Sequence, residues 1–466
     1  MLTAFRRNSR LLRAGSRGLA SVAPHVRTSV LPNGLTVATE KIPQCETATV
    51  GVWIDAGSRA DVSDSTSGTA HFLEHLAFKG TNSRTQFNLE LEVENCGSHL
   101  NAYTSRENTV YYAKSLKEDI PRAVDILSDI LTRSKLERIA IEKERPVIIR
   151  ESEEVDKMYD EVVFDRLHEV TFKGQPLGRT ILGPIENIKS LTREDLKNYI
   201  ETNYKGDRMV LVGAGAVDHE QLVELAQKSF GHVPISEKSI PLGSPRGDLP
   251  RFYGEEVRVV DTSLPNTYIA LAVEGVSWSA PDYLTGLVTQ AVVGNWDRAM
   301  NSGSHSPSPL AVKVSTGSGN GEPLANSYMS FSTSYSDTGL WGMYLVLDKD
   351  ANIEPLVECV LQEWERLRKG EITEQEVETA KAQLKGSLLL SLDGTTAIAE
   401  DIGRQLVTTG HRMSPQEVFD RVDKITRDEV VQWAKYRLQD KPIAVAALGT
   451  LNTLPAHSKI AQGMST

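Results

Sequence analysis

His71 and His75 stand four residues apart in Gly68-Thr69-Ala70-His71-Phe72-Leu73-Glu74-His75-Leu76-Ala77-Phe78-Lys79-Gly80, with Glu74 between them. On a helix, positions i and i+4 lie one above the other, so both imidazoles can reach a single ion. Glu74, three after His71, projects toward the same side. Neutral imidazoles suit zinc, and a nearby carboxylate that does not bind the ion can take a proton from water. The order His-x-x-Glu-His reverses the commoner His-Glu-x-x-His zinc motif. Ser65, Thr66, Ser67 and Gly68 offer this helix a capped start, and Gly80 offers a stop.

A tetrahedral zinc that keeps one position open for water needs three protein ligands, so another carboxylate must come from elsewhere in the chain. From Leu136 to Phe172 the sequence LERIAIEKERPVIIRESEEVDKMYDEVVFDRLHEVTF is rich in helix formers and acids, with Pro146 as a kink or restart. Glu144 and Glu151 are seven apart and share a face of that predicted helix. Further along the same helix, Glu161 and Asp165 are four apart. Such a pair can grip a guanidinium bidentately, although acids at this spacing also simply solvate helices.

With these residues in view, the chain resembles the pitrilysin-type (inverzincin) metallopeptidases, in their mitochondrial presequence-processing branch. The resemblance rests on the paired histidines, on the 76 positions between His75 and Glu151, and on Asp55-Ala56-Gly57-Ser58-Arg59 and Asn101-Ala102-Tyr103-Thr104-Ser105-Arg106-Glu107. It extends from about Thr28 to about Leu451. It implies one Zn2+ held by His71, His75 and Glu151, with Glu74 as general base and Glu144 supporting the ligands. It also implies that Glu161 and Asp165 recognise an arginine near the cleavage point, and that Phe78 contacts the residue after the cut. Asn101 and Tyr103 fall on a predicted strand, Leu100 to Thr104, that could take an extended substrate by strand addition.

The activity implied is that of a zinc metalloendopeptidase removing N-terminal presequences from precursors imported into the mitochondrial matrix. The general oligopeptide-degrading pitrilysins, a third reading, usually join four such domains in one chain, and this chain has two. If the chamber needs four, a partner of similar size must supply the others, and the resemblance implies a non-catalytic α subunit. Close relatives in the family serve instead as core subunits of respiratory complex III, on the matrix face of the inner membrane. That structural role, alone or beside peptidase activity, is the alternative.

At 466 residues the chain exceeds one ordinary core, and its 40% hydrophobic and 24% charged residues are those of a globular protein. No apolar run approaches the length of a transmembrane helix. Cys45, Cys96 and Cys359 are too scattered for a disulfide framework or a cysteine metal site. Arg6, Arg10, Arg13 and Arg17 form one helical stripe with Leu2, Phe5 and Leu12 nearly opposite, and no acid precedes Glu40. Residues 1–19 therefore read as a mitochondrial transit peptide. A basic arm for nucleic acid is the competing reading, and nothing basic elsewhere supports it. Cleavage near Arg17-Gly18-Leu19 would remove five arginines, taking the formal net charge from −11 to −16. An acidic mature chain argues against nucleic acid and favours basic peptides. Arg17 before Gly18 is itself the kind of site that such an enzyme would cut.

The remainder is duplicated. Ile188-Lys189-Ser190-Leu191-Thr192-Arg193-Glu194-Asp195, ahead of a strand from Arg208, is echoed by Val422-Asp423-Lys424-Ile425-Thr426-Arg427-Asp428-Glu429, with Thr192 and Thr426 separated by 234 positions. A Pro- and Gly-rich linker, 231–254, separates a metal-binding domain over 25–230 from a homologous domain over 255–455. The second copy lacks the paired histidines, and its His305, His411 and His457 are isolated, so it is expected to be catalytically silent. By the resemblance, it closes the substrate groove. Alternating strands and long helices together give an α+β fold: two homologous domains, each an antiparallel-rich mixed sheet with packed helices.

Overall fold

The computed structural model describes residues 26–300, 308–317 and 322–465, so the expected leader and His305 lie outside the described residues. The first half contains β1 (Arg27–Val30), β2 (Thr36–Lys41), β3 (Thr47–Ile54), β4 (His99–Thr104), β5 (Thr109–Leu116) and β6 (Met209–Gly215). They form one sheet in the order β1-β2-β6-β3-β5-β4, antiparallel except where β2 runs parallel to β6. The second half contains β7 (Glu256–Val260), β8 (Asn266–Glu274), β9 (Asn295–Asp297), β10 (Ser327–Ser334), β11 (Gly339–Asp348) and β12 (Ala444–Gly449). Its order is β7-β12-β8-β11-β10-β9, and again one pair alone, β7 with β12, is parallel. The run β2-β6-β3-β5-β4 thus recurs as β7-β12-β8-β11-β10, and the α+β duplication read from the sequence is a duplication of topology.

The helices of the first half are α1 (Thr69–Leu76), α2 (Gln86–Asn95), α3 (Ile120–Thr132), α4 (Arg138–Val155), α5 (Tyr159–Thr171), α6 (Ile185–Ser190), α7 (Arg193–Asn203) and α8 (His219–Phe230). Those of the second are α9 (Tyr283–Val293), α10 (Pro309–Thr316), α11 (Glu354–Lys369), α12 (Glu374–Ser391), α13 (Thr395–Thr409), α14 (Pro415–Lys424), α15 (Arg427–Leu438) and α16 (His457–Gln462). The repeated Thr192 and Thr426 segments owe their likeness to capping. In each, the threonine side chain accepts a backbone N–H at the start of α7 or α15, and the acid three residues on returns the bond.

Strand β3, TATVGVWI, is buried along nearly its whole length, because both faces of its sheet are covered. One face packs on the half's own helices, with Phe72, Leu73, Leu127 and Leu196 in that core. The other face is covered by a helix from the opposite half. Ala399, Ile402 and Leu406 of α13 pack on Trp53, Val210 and Val212 of the first sheet. Reciprocally, Val163, Leu167 and Phe164 of α5 pack on Ala270, Ala272, Ala444 and Ala446 of the second, where small side chains admit a helix closely.

This exchange corrects the single helix expected over 136–172. The helix α4 continues past Pro146 without a restart there, then the chain leaves it at Asp156, and Met158 (φ −89, ψ 85) precedes its resumption as α5. No Gly or Pro marks the break; it is imposed by the need to reach the other sheet. Glu161 and Asp165 are therefore on a different helix from Glu151.

Between the halves, the β4–β5 turn meets the β10–β11 turn. Arg59 donates to both Asp337 oxygens, at 2.9 and 2.6 Å, and to Glu107 at 2.7 Å, and Glu107 accepts the Ser336 N–H at 2.9 Å. A paired, fully bonded arrangement of this kind tolerates burial where a lone charge would not.

Gly403 of α13 faces Trp53 so closely that an added Cβ would lie 2.2 Å from the indole ring, whereas Gly386 of α12 meets open space. An alanine gains about 1 kcal/mol over glycine in a helix, but overpacking costs about 1–3 kcal/mol, so the clash should win at one site and propensity at the other. Gly403→Ala is expected to lower the midpoint of thermal unfolding and Gly386→Ala to raise it slightly, as followed by circular dichroism.

Candidate metal centre

The α1 helix is held at its start by a residue that the sequence did not single out. Buried Asp61 accepts the Gly68 N–H at 2.7 Å and the Ala70 N–H at 3.2 Å, taking two amides that the first turn leaves free. Gly68 can serve there because its φ of 100° is open to glycine, and an added Cβ would strike the Leu182 carbonyl. The Ser65-Thr66-Ser67 run expected to cap the helix instead forms the turn ahead of it. Burial pushes the Asp61 carboxyl up to about 7, against the hydrogen bonds from Gly68 and Ala70 and the field of Arg179.

Phe72, Leu73 and Leu76 turn one face of α1 into the core, which leaves His71 and His75 on the other, with ring centroids 4.7 Å apart. Glu151, from α4, meets both. One of its oxygens is 3.7 Å from His71 Nε2, and the other is 2.8 Å from His75 Nε2. The ligating atoms of His71, His75 and Glu151 all lie within 4.8 Å of one another, and among the described residues this is the one such grouping. Glu144, seven residues earlier on α4 and buried, approaches His75 Nδ1 at 3.0 Å. Its second oxygen takes the Lys79 ammonium at 3.1 Å.

His75 therefore faces a carboxylate at each ring nitrogen. If Nδ1–H donates to Glu144, the Nε2 lone pair points at a Glu151 oxygen, an arrangement that needs a proton or a metal ion between them. Burial alone would lower the His75 pKa, but its bonds to Glu151 and Glu144 outweigh this and raise it. Glu151 is held well below the usual carboxylate range by His71 and His75. Two imidazole nitrogens and one carboxylate oxygen, with the imidazole oriented from behind, fit a divalent metal of the zinc type.

Glu74 is half-buried on the same turn of α1, and its carboxylate makes no hydrogen bond or ion pair among the described residues. Phe78 is half-buried after α1, edge-on to Tyr111 with centroids 6.3 Å apart. Strand β4 is an edge strand, paired with β5 alone, and exposed Asn101 sits on it. Tyr103, two residues on, is turned elsewhere: its hydroxyl donates to Glu400 of α13 at 2.6 Å and its ring packs between sheet and helix. Asp165 accepts a hydrogen bond from Arg106 at 2.6 Å, whereas Glu161 is exposed and unpaired among the described residues. Lys79 had a readable signal, four residues after His75. Asp61 had none, and Arg106 stood in the sequence only as part of the Asn101–Glu107 stretch with no role attached to it, since both act from loops.

The counterpart of α1 in the second half is α9, which follows β8 as α1 follows β3. There Tyr283, Leu284 and Leu287, with Leu384 and Leu388 of α12, line a cavity of about 70 Å³. Of the isolated histidines, His411 is exposed and His457 Nε2 lies 2.8 Å from the Ile443 carbonyl.

Residues 36–185 match the family model of the insulinase-type peptidases (peptidase family M16), and residues 190–384 match that of the M16 inactive domain. The chain is similar to the mitochondrial-processing peptidase subunit beta of Saccharomyces cerevisiae, 65% identical over 462 residues that cover 99% of this chain and 98% of that protein. The probable subunit beta of Schizosaccharomyces pombe is 57% identical over 96% of both chains. The subunit beta of Mus musculus is 47% identical over 95% of this chain and 88% of its own length. Among solved structures, a chain of "Complex III2 from Candida albicans, Inz-5 bound" superposes with a TM-score of 0.83 at 25% identity, covering 95% of this chain and all of that one.

Removing the Asp61 carboxylate orphans two buried amides at the start of α1. Asp61→Ala is expected to cost about 1–2 kcal/mol of stability, the range for a lost helix cap. Denaturant unfolding would measure it.

Proposed function

The chain belongs to the insulinase-type M16 peptidases, and we propose that it is the zinc-dependent catalytic subunit of a heterodimer that removes basic presequences from proteins imported into the mitochondrial matrix. The observation that carries this reading is the convergence of His71, His75 and Glu151 beside an unpaired Glu74. When bound, zinc supplies Lewis acidity to the scissile carbonyl and to the attacking water. Glu74 takes the proton of that water at its carboxylate and later passes it to the leaving amine. Glu144 holds His75 by Nδ1, keeping Nε2 free to ligate, and Lys79 balances the charge of Glu144.

Substrate contacts follow the same geometry. The open edge of β4 offers backbone donors and acceptors to an extended peptide, with Asn101 beside it. Phe78 supplies an apolar surface after the metal helix. Glu161 and Asp165 recognise an arginine near the cut, and the formal charge of −11 favours basic peptides generally. The relatives are named as one subunit, beta, of a processing peptidase, and a non-catalytic α subunit is the partner that completes the chamber. No helix among the described residues is long and apolar enough to cross a membrane.

A second reading, a structural core subunit of respiratory complex III, draws on the likeness to a chain of that complex. The full set His71, Glu74, His75, Glu144 and Glu151 favours the enzyme. Glu74→Gln, co-expressed with the partner subunit, should keep its metal and fold while presequence cleavage falls by at least about 10²–10⁴-fold, the usual contribution of a general base. Cleavage at the normal rate, with the chain fractionating among cytochromes, would favour the structural role. Glu144→Gln should weaken zinc binding about 10–100-fold in a chelator competition.

A further inference from the structure

We propose that Arg106, in the turn between β4 and β5, is a positioning residue for arginine recognition, holding one oxygen of Asp165 so that the other meets the substrate guanidinium together with Glu161. The proposal rests on the assignment of Glu161 and Asp165 to recognition made above. Arg106 Nη2 donates to Asp165 Oδ1 at 2.6 Å. Asp165 Oδ2 makes no bond among the described residues, and the side chain is 29% exposed. Glu161, one helical turn before it on α5, is exposed and has no partner either. One acceptor from each carboxylate is thus left on one face of α5, the arrangement that the planar fork of an arginine can take.

Arg106 cannot act as the free end of this pair. Its side chain is only 10% exposed and lines the cavity of about 510 Å³ between the halves, with Arg59, Glu107 and Ser336 among its neighbours. A guanidinium fixed there sets the rotamer of Asp165 before any peptide arrives, so substrate binding does not have to order that side chain. It also eases crowding of like charge. Burial and the neighbours Asp160 and Asp165 raise the Glu161 pKa, while Arg106 acts in the opposite direction. Two acids four apart on a helix repel unless a cation lies near.

The pair also ties α5 to the β4–β5 turn across the exchanged helix, so a purely structural brace is the competing role. That role would change stability and leave the preference for arginine untouched. The test is a double-mutant cycle on the heterodimer with Arg106→Gln, Asp165→Asn and both together. The readout is the ratio of kcat/KM for a presequence peptide carrying arginine near the cut to that for its alanine counterpart. Each single substitution should lower the ratio roughly tenfold, the scale of a charge-assisted hydrogen bond, chiefly through KM. The double variant should fall no further, because both act through one carboxylate. An Arg106→Gln ratio within about twofold of the parent, beside a lowered Asp165→Asn ratio, overturns the proposal, and so do additive losses. If Asp165→Asn and Glu161→Gln both leave the ratio unchanged, the recognition assignment itself fails and takes this inference with it. Should Arg106→Gln not fold, Arg106→Met keeps the length of the side chain without any donor, and an unaltered ratio there counts against the proposal.

Discussion

The candidate metal centre depends on α1 lying against α4, since neither helix gathers its three side chains alone. His71 and His75 present two nitrogens, and α4 brings Glu151 to them and Glu144 behind them from one face. Several independent contacts fix the docking. Phe72 of α1 is buried in the core and also lies under the guanidinium of Arg145 from α4, 5.6 Å from its ring centroid. Arg145 in turn donates to the Ile188 and Leu191 carbonyls, tying α4 to the segment around α6. Burying a phenylalanine contributes about 2–3 kcal/mol, more than a single exposed ion pair does, so the apolar face of α1 sets its position and the polar contacts set its register.

The exchange of α5 and α13 answers a second constraint. Each six-stranded sheet has two apolar faces and, within its own half, helices enough for one. Covering the remaining face with the other half's helix buries both without further chain, and it makes the halves mutually dependent. It also carries the acidic pair of α5 to the boundary between the halves, where the β4–β5 turn supplies Arg106. The acidic pair and the paired histidines thus sit in different layers of the same half, the pair on a helix that rests on the other half's sheet.

Much of the site was legible in one dimension. The i, i+4 histidines with Glu74 between them, and the heptad spacing of Glu144 and Glu151, follow helical periodicity, which local sequence sets. The duplicated Thr192 and Thr426 segments were legible for the same reason, since a capping box is a local interaction. Less was readable where loops act at a distance. Asp61 caps α1 from outside the helix, Tyr103 turns to Glu400 almost 300 positions away, and Arg106 reaches Asp165 across a helix exchange.

The sequence by itself determined the type and spacing of the candidate site groups, the α+β class and the twofold repeat, because each is written in short-range periodicity. Only the tertiary structure decided that the acidic stretch after Leu136 is two helices serving two sheets, which acid meets the histidines, and which of the remaining carboxylates are already paired. Those outcomes turn on which apolar faces must be covered and by what, a competition settled over the whole chain rather than in any window of it.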